Sequence, residues 1–216
     1  MIPSIIPPDT IYSMIARLML TMSLFPTSFE AIIFSSMTLL WILSEVVGGG
    51  IIPMLRRSGG GIKKKDGGSV LVIRVLMYVS VFMAILLALK HIAMLPGWFF
   101  YPGIILMVTG ILMRQWAIFI LGRFFTVIVS VQKNQKVVDY GPYRLIRHPS
   151  YLGLFMIMIG MGLALGSWGG ILILLSMNGL ALGYRIYIEE KVLVSELGYD
   201  YVQYIKRTKR LIPFIL

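Results

Sequence analysis

Long apolar stretches separated by short polar ones dominate the chain. Three of them, from about Ala31 to Val47, Val70 to Leu89 and Gly103 to Leu121, approach the roughly 20 residues that a membrane-spanning helix needs. They predict three transmembrane helices. A shorter apolar run from Ile11 to Phe25 contains Arg17, and this combination favours a helix that lies in the membrane interface.

The longest uncharged stretch, Pro149 to Tyr184, has 36 residues. A single helix of that length would measure about 54 Å, whereas the hydrocarbon core of a bilayer is about 30 Å thick. The chain must therefore fold back, and Gly166 to Gly170 supplies the turn. We predict a fourth and a fifth transmembrane helix that form a tight hairpin. The small residues expected to pack between them are Gly153, Gly160 and Ala164 on one helix and Ser176, Gly179 and Gly183 on the other.

Two polar segments flank this hairpin. Phe124 to Val131 is apolar and β-branched, and with the polar residues after it this predicts a small hairpin or an extended loop at the membrane surface. The tail from Tyr184 to Leu216 is charged and amphipathic, and it should return to the same surface. We expect residues 1–121, with an interfacial segment and three spans, and residues 122–216, with the hairpin, to form one integrated domain.

Composition places the chain among polytopic membrane proteins, since 58% of its residues are hydrophobic and 13% are charged. The net charge of +11 does not indicate nucleic acid, because the basic residues alternate with the spans and so fit contacts with anionic lipids. The absence of cysteine excludes thiol catalysis and cysteine-ligated zinc, and two histidines offer little for a metal centre. Nothing in the pattern indicates an oligomeric state.

The distribution of Lys and Arg predicts the orientation. Residues 56–74, 114–147 and 185–210 contain six each, and only Arg17 and Lys90 lie elsewhere. Five spans place all three basic regions on one side of the membrane, which the positive-inside rule identifies as the cytoplasm. The carboxyl terminus and the candidate active site would then be cytoplasmic, and the amino terminus would lie outside.

The hairpin brings His148 and Glu189 to the same end of its two helices. Arg185 and Glu189 stand four residues apart, which places them on one helix face. They form either an ordinary salt bridge or a pair that binds a ligand carrying both charges, with Arg185 holding the negative group. His148 likewise allows two interpretations, a helix-capping residue or a ligand-binding residue within a cluster of tyrosines.

The stretch Arg147-His148-Pro149-Ser150-Tyr151, followed by Glu189-Glu190, resembles the R-H-P-x-Y…E-E signature of the isoprenylcysteine carboxyl methyltransferases. The flanking residues agree with this resemblance, and they are Gly141, Tyr143, Gly198, Tyr201, Tyr204 and Pro213. The similarity extends from about Leu121 to Pro213. The R-H-x-x-Y part alone is shared with sterol reductases and phospholipid methyltransferases.

The predicted spans indicate an all-α polytopic membrane protein, and the resemblance implies a pocket for S-adenosylmethionine that opens to the cytosol. It implies that Arg185 binds the carboxylate of the substrate. The residues that the resemblance assigns to the cofactor are Gln135, Lys136, Val137, Val138, Tyr143, His148, Pro149, Ser150, Tyr151 and Glu189. A lipophilic substrate would enter from the bilayer between the helices.

The resulting hypothesis is methyl transfer from S-adenosylmethionine to the carboxylate of a lipophilic, isoprenylcysteine-like substrate. Alternatives are an NADPH-dependent sterol-type reductase, a methyltransferase acting on a phospholipid amine or a small thiol, and a non-catalytic membrane scaffold. A sterol-type reductase would need contacts for a 2′-phosphate and a larger cavity. A scaffold would be expected to lack a site residue, and the signature is complete.

Overall fold

The structure, a computed structural model, describes residues 24–55, 68–129, 131 and 135–211, and these residues contain helices and loops but no strand. The α-helices are α1 (Ser28–Ser44), α2 (Ser69–Leu89), α3 (Phe100–Leu121), α4 (Pro149–Ala164), α5 (Trp168–Leu197) and α6 (Tyr199–Arg207). A π-helix, Glu45–Ile51, and a short helical turn, Ile52–Leu55, extend α1. The predicted interfacial run Ile11 to Phe25 lies almost wholly outside the described residues.

Among the residues that the structure describes, four helical stretches are long and apolar enough to cross a membrane. They are Ser28–Ile51, Ser69–Leu89, Gly97–Phe124 and Trp168–Leu197. Helix α4 has 16 residues, or about 24 Å at 1.5 Å per residue, which is shorter than a bilayer core. The chain is thus a multi-pass membrane protein, and a fifth span stays a prediction. Helix α5 continues to Leu197 instead of ending near Tyr184, and it carries its charged residues beyond the apolar part of the bundle.

Helix α4 packs chiefly against α3, and α5 packs chiefly against α2. The predicted reversal is present, because Leu165 ends α4 and Ser167 caps the start of α5, with Gly166 between them at φ +66°. The two hairpin helices also contact each other, for example at Gly162 and Ile171, although this is not the main packing contact of either helix. Each helix has a closer partner elsewhere in the bundle.

The small residues of α4 explain this arrangement. A Cβ added at Gly153 would lie 2.7 Å from the carbonyl oxygen of Gly110, and one at Gly160 would lie 2.5 Å from that of Gly103. Backbone thus meets backbone where α4 crosses α3 in the antiparallel sense. On α5, by contrast, a Cβ added at Gly183 would have no heavy atom of another segment within 4 Å. The stripe on α4 was correctly predicted as a packing surface, but its partner is α3.

The segments that follow α3 and α5 meet at one end of the bundle. Gly122 and Gly198, both at positive φ, end these two helices. The described residues between α3 and α4 form loops and 3₁₀ turns, so the hairpin alternative for Phe124 to Val131 is not found. The tail returns as predicted, since the backbone N–H of Arg147 donates to the carbonyl of Lys209 at 2.7 Å.

A matched pair of glycine substitutions tests the α3–α4 crossing. Gly160→Ala should lower the free energy of unfolding by about 1–3 kcal/mol, because the added methyl group meets backbone that cannot move aside. Gly183→Ala should be neutral or slightly stabilising, because alanine favours helix and the position is open. Thermal unfolding in detergent would measure both, and equal effects would contradict the crossing.

Candidate active site

A pocket opens at the end of the bundle where α3 ends, α4 begins and α5 projects beyond α2. It has an empty volume of ≈ 870 Å³, including the space at its mouth. All of the predicted site residues except Pro149 line it. Those lining residues are Gln135, Lys136, Val137, Val138, Tyr143, His148, Ser150, Tyr151, Arg185 and Glu189. The structure therefore brings His148 and Glu189 into one cavity, although they are 41 positions apart in sequence.

The signature stretch forms the start of α4. His148 occupies the N-cap position and Pro149 the first helical position, where a missing N–H costs nothing. The backbone carbonyl of His148 accepts from the N–H groups of Tyr151 and Leu152, both at 3.1 Å, while its side chain makes no capping hydrogen bond. The imidazole instead lies in the pocket wall, stacked on the ring of Tyr151 with their centroids 5.4 Å apart. Pro149 thus supports the site through the backbone without lining it.

Arg185 is connected to Glu189 mainly through Tyr151. Its Nε donates to the Tyr151 hydroxyl at 3.1 Å, and that hydroxyl donates to Glu189 Oε2 at 2.6 Å, whereas Arg185 Nε lies 3.9 Å from the same carboxylate oxygen. The Arg185 guanidinium also donates to the Ser69 hydroxyl at 2.6 Å and to the Val127 carbonyl. These contacts from three segments fix the plane of a side chain that is only 3% exposed. A simple salt bridge within α5 does not describe this arrangement.

The second glutamate, Glu190, faces away from Arg185 and binds three basic side chains. Arg147 Nε donates to its Oε1 at 2.8 Å, Arg210 Nε donates to its Oε2 at 3.0 Å, and His148 Nε2 lies 3.4 Å from Oε1. Arg147 also donates to the carbonyl oxygen of Thr208. This set of contacts joins α5, the signature stretch and the tail, so the tail is held over the pocket.

Buried tyrosines complete the wall on the tail side. Tyr201 and Tyr204 lie one helical turn apart on α6 and both line the pocket. The Tyr204 hydroxyl donates to the Tyr143 carbonyl at 2.8 Å, and the Tyr143 hydroxyl donates to the Ala117 carbonyl at 3.3 Å. Burial raises the pKa of the Tyr143, Tyr201 and Tyr204 hydroxyls above the ordinary value of tyrosine. Each hydroxyl therefore stays neutral and able to donate a hydrogen bond near neutral pH.

The pocket also contains residues that the sequence analysis did not assign to the site. These are Leu121, Phe124, Phe125, Thr126, Val129, Val131, Arg147, Val192, Leu193, Leu197, Tyr201 and Tyr204. Most are apolar and belong to the loop after α3 or to the last turns of α5, where apolar residues carry no local signal for a site. The two tyrosines had such a signal, because they recur on one face of a strongly amphipathic helix.

Fold and site together define the class, a multi-pass membrane protein with a partly polar pocket at one end of its helical bundle. Residues 103–195 match the isoprenylcysteine carboxyl methyltransferase family, and this range includes the signature, Arg185 and both glutamates. Over that range, which is less than half of its length, the chain is similar to this family.

Proteins that carry this family's activity name are similar to parts of the chain. Protein-S-isoprenylcysteine O-methyltransferase B of Arabidopsis thaliana is 27% identical over 143 residues, which are 63% of this chain and 73% of that protein. The protein of the same activity name from Schizosaccharomyces pombe is 34% identical over 108 residues, 49% of this chain and 46% of the relative. A solved structure of the eukaryotic intramembrane Ras methyltransferase, isoprenylcysteine carboxyl methyltransferase, superimposes with a TM-score of 0.51 and 27% identity. It covers 67% of this chain, and the chain spans 52% of that structure.

The Glu190 contacts predict a difference between two acidic residues at the same end of the bundle. Glu190→Gln should lower the free energy of unfolding by roughly 3–5 kcal/mol, because it leaves buried arginine without its charge partner. Asp139→Asn should change it by less than about 1 kcal/mol, because the Asp139–Arg207 pair is exposed to solvent. Thermal unfolding and protease cleavage of the tail would measure the contrast. A Glu190→Gln variant as stable as Asp139→Asn would contradict the role of Glu190 in holding the tail.

Proposed function

We propose that this chain is a membrane methyltransferase that transfers a methyl group from S-adenosylmethionine to the carboxylate of a lipophilic, isoprenylcysteine-like substrate. The observation that carries the proposal is the position of Arg185. This buried cation lines the pocket beside Glu189 and Tyr151, at the boundary between the apolar bundle and the polar segments. A carboxylate at the end of an apolar molecule is the acceptor that such a position suits.

The residues present fit S-adenosylmethionine, which when bound supplies an electrophilic methyl group on a sulfonium centre. Glu189 offers a carboxylate in the pocket that can accept hydrogen bonds from an ammonium group. The Tyr151 ring offers a π face for a cation, and Val137, Val138 and Val192 offer an apolar wall for a base. The loop around Gln135 and Lys136 lies at the same cavity, on the side of the polar segments.

The chemistry needs little from the protein beyond orientation. A carboxylate is already ionised at neutral pH, so no general base is required. The Arg185 guanidinium, fixed by Ser69, Tyr151 and the Val127 carbonyl, would hold the carboxylate of the substrate in one plane. Such positioning is a class of effect that contributes up to roughly 7–11 kcal/mol to a reaction between bound groups. The apolar wall excludes water while charge is neutralised.

The charge of Arg185 also favours one acceptor over others. A phospholipid amine is an ammonium cation at neutral pH, must lose a proton before it can react, and becomes cationic again when methylated, so a buried guanidinium beside it would be unfavourable for substrate binding and for the product. An anionic carboxylate gains from the same contact. The apolar side chains of Phe124, Phe125, Val129 and Leu193 add a surface suited to a lipid chain that arrives from the bilayer.

A direct assay tests the acceptor. The purified protein in lipid nanodiscs would be incubated with S-adenosylmethionine labelled on its methyl group and with N-acetyl-S-farnesylcysteine. We expect label in a base-labile ester of that compound. The matched control is the same compound with its carboxylate converted to an amide, which should stay unlabelled. Labelling of both compounds, or transfer only to phospholipid amines or to a thiol, would contradict a carboxylate acceptor.

Substitutions separate the two halves of the site. Arg185→Lys should lower the turnover number by roughly 100-fold with S-adenosylhomocysteine binding largely kept, because lysine retains the charge but loses the planar fork. Glu189→Gln should weaken S-adenosylhomocysteine binding by roughly 10- to 100-fold, because a hydrogen bond to a charged group contributes about 1.5–3 kcal/mol. His148→Ala should act in the same direction. Calorimetric titration would measure the affinities, and an unchanged affinity in the Glu189→Gln variant would refute its assignment.

A further inference from the structure

An ion pair inside the bundle links α1 to α3. Arg114 Nη2 donates to Glu45 Oε2 at 2.7 Å, and Arg114 Nε donates to Glu45 Oε1, which makes the contact bidentate. Arg114 is only 9% exposed. Both residues lie within predicted spans, Glu45 in the first and Arg114 in the third. Charged residues within membrane helices are costly and therefore call for a physical reason.

The same guanidinium reaches the signature stretch. Arg114 Nη1 donates to the Ser150 hydroxyl at 2.8 Å and to the Ser150 carbonyl at 3.1 Å. Ser150 lies in the first turn of α4 and lines the pocket between His148 and Tyr151. One side chain on α3 thus connects the end of α1 to the wall of the proposed active site, although Arg114 does not itself line the pocket.

The position of Glu45 is fixed by a second contact at the same level. The π-helix Glu45–Ile51 begins there, and the Gln115 side chain donates to the Ser44 carbonyl at 3.2 Å. Gly48 leaves space for this amide, because a Cβ there would lie 1.9 Å from Gln115 Oε1. Consecutive residues of α3, Arg114 and Gln115, therefore both bind the segment where α1 changes into a π-helix.

We propose that Glu45 and Arg114 are positioning residues. They hold the first turn of α4, and with it Ser150, Tyr151 and His148, in the geometry that binds S-adenosylmethionine. This inference rests on the proposed function. It assigns a role in the site to Glu45, which lies outside the family match of residues 103–195. The amino-terminal span then supports the pocket in addition to crossing the membrane.

Another buried polar contact shows what a purely structural link looks like. Asn178 Nδ2 donates to the Ser80 hydroxyl at 2.8 Å and joins α5 to α2. Neither residue lines the pocket, and neither contacts the first turn of α4. Ser80→Ala therefore serves as the matched control, because it weakens a buried contact of the same bundle at a distance from the signature stretch.

The test compares Arg114→Lys, Glu45→Gln and the milder Glu45→Asp with Ser80→Ala in purified full-length protein. Arg114→Lys keeps the charge opposite Glu45 but cannot donate to Glu45 and Ser150 in one plane. We expect it to unfold near the wild-type temperature, to bind S-adenosylhomocysteine at least roughly tenfold more weakly, and to exchange the amide hydrogens of residues 148–154 faster. The Glu45 variants should shift affinity and exchange in the same direction. Ser80→Ala should change thermal stability alone.

A double-mutant cycle adds a measurement that a general loss of stability would not reproduce. If Glu45 acts through Arg114 on Ser150, then Glu45→Gln combined with Ser150→Ala should weaken binding by less than the two single effects summed. Additive effects, or affinity and exchange at wild-type values in Arg114→Lys and Glu45→Asp, would overturn the proposal. The proposal would also be overturned if every variant, Ser80→Ala included, lost affinity in proportion to its loss of thermal stability. If the wild type failed to bind S-adenosylhomocysteine, the proposed function would fail, and the exchange data alone would decide whether the pair holds the first turn of α4.

Discussion

The need to pair charge where apolar helices end governs the organisation of this molecule. Arg114, Arg185 and Glu190 are all buried, and removing an isolated charge from water costs several kcal/mol. Each is therefore bound by groups from other segments, with Glu45 and Ser150 around Arg114, Ser69 and Tyr151 around Arg185, and three basic side chains around Glu190. The segments that supply these partners are thereby brought together, and the pocket is the space between them.

Close packing of α3 and α4 makes this pairing possible. At Gly153 the backbones approach so closely that an added Cβ would lie 2.8 Å from Arg114 Cβ. The contact brings the Arg114 guanidinium within reach of Ser150, one turn earlier on α4. The glycines thus have two consequences, since they set the crossing of the helices and they set the position of the signature stretch relative to α3. Packing in the apolar layer and geometry in the polar layer are linked.

The two glutamates of the signature illustrate how adjacent residues take different roles. Successive residues of a helix point about 100° apart, so Glu189 and Glu190 cannot face the same partners. Glu189 lines the pocket and accepts from Tyr151, while Glu190 binds Arg147 and Arg210 and holds the tail. The motif therefore combines a residue in the pocket wall with one that holds the tail against it. The sequence analysis predicted His148 and Glu189 in one cavity, but it did not predict that the imidazole would contact Glu190.

Patterns along the chain determined the helical class, the position of the spans and the residues that gather at one end of the bundle, because apolar run length and charge are local properties. The resemblance carried by Arg147 to Tyr151 and by Glu189-Glu190 indicated the family that residues 103–195 match. Which helices pack together was decided only by tertiary structure, because the glycines of α4 fit α3 or α5 equally well as a sequence pattern. The links from Glu45 to Ser150 and from Ser69 to Arg185 were also decided there, since they join residues more than 100 positions apart and no local spacing encodes them.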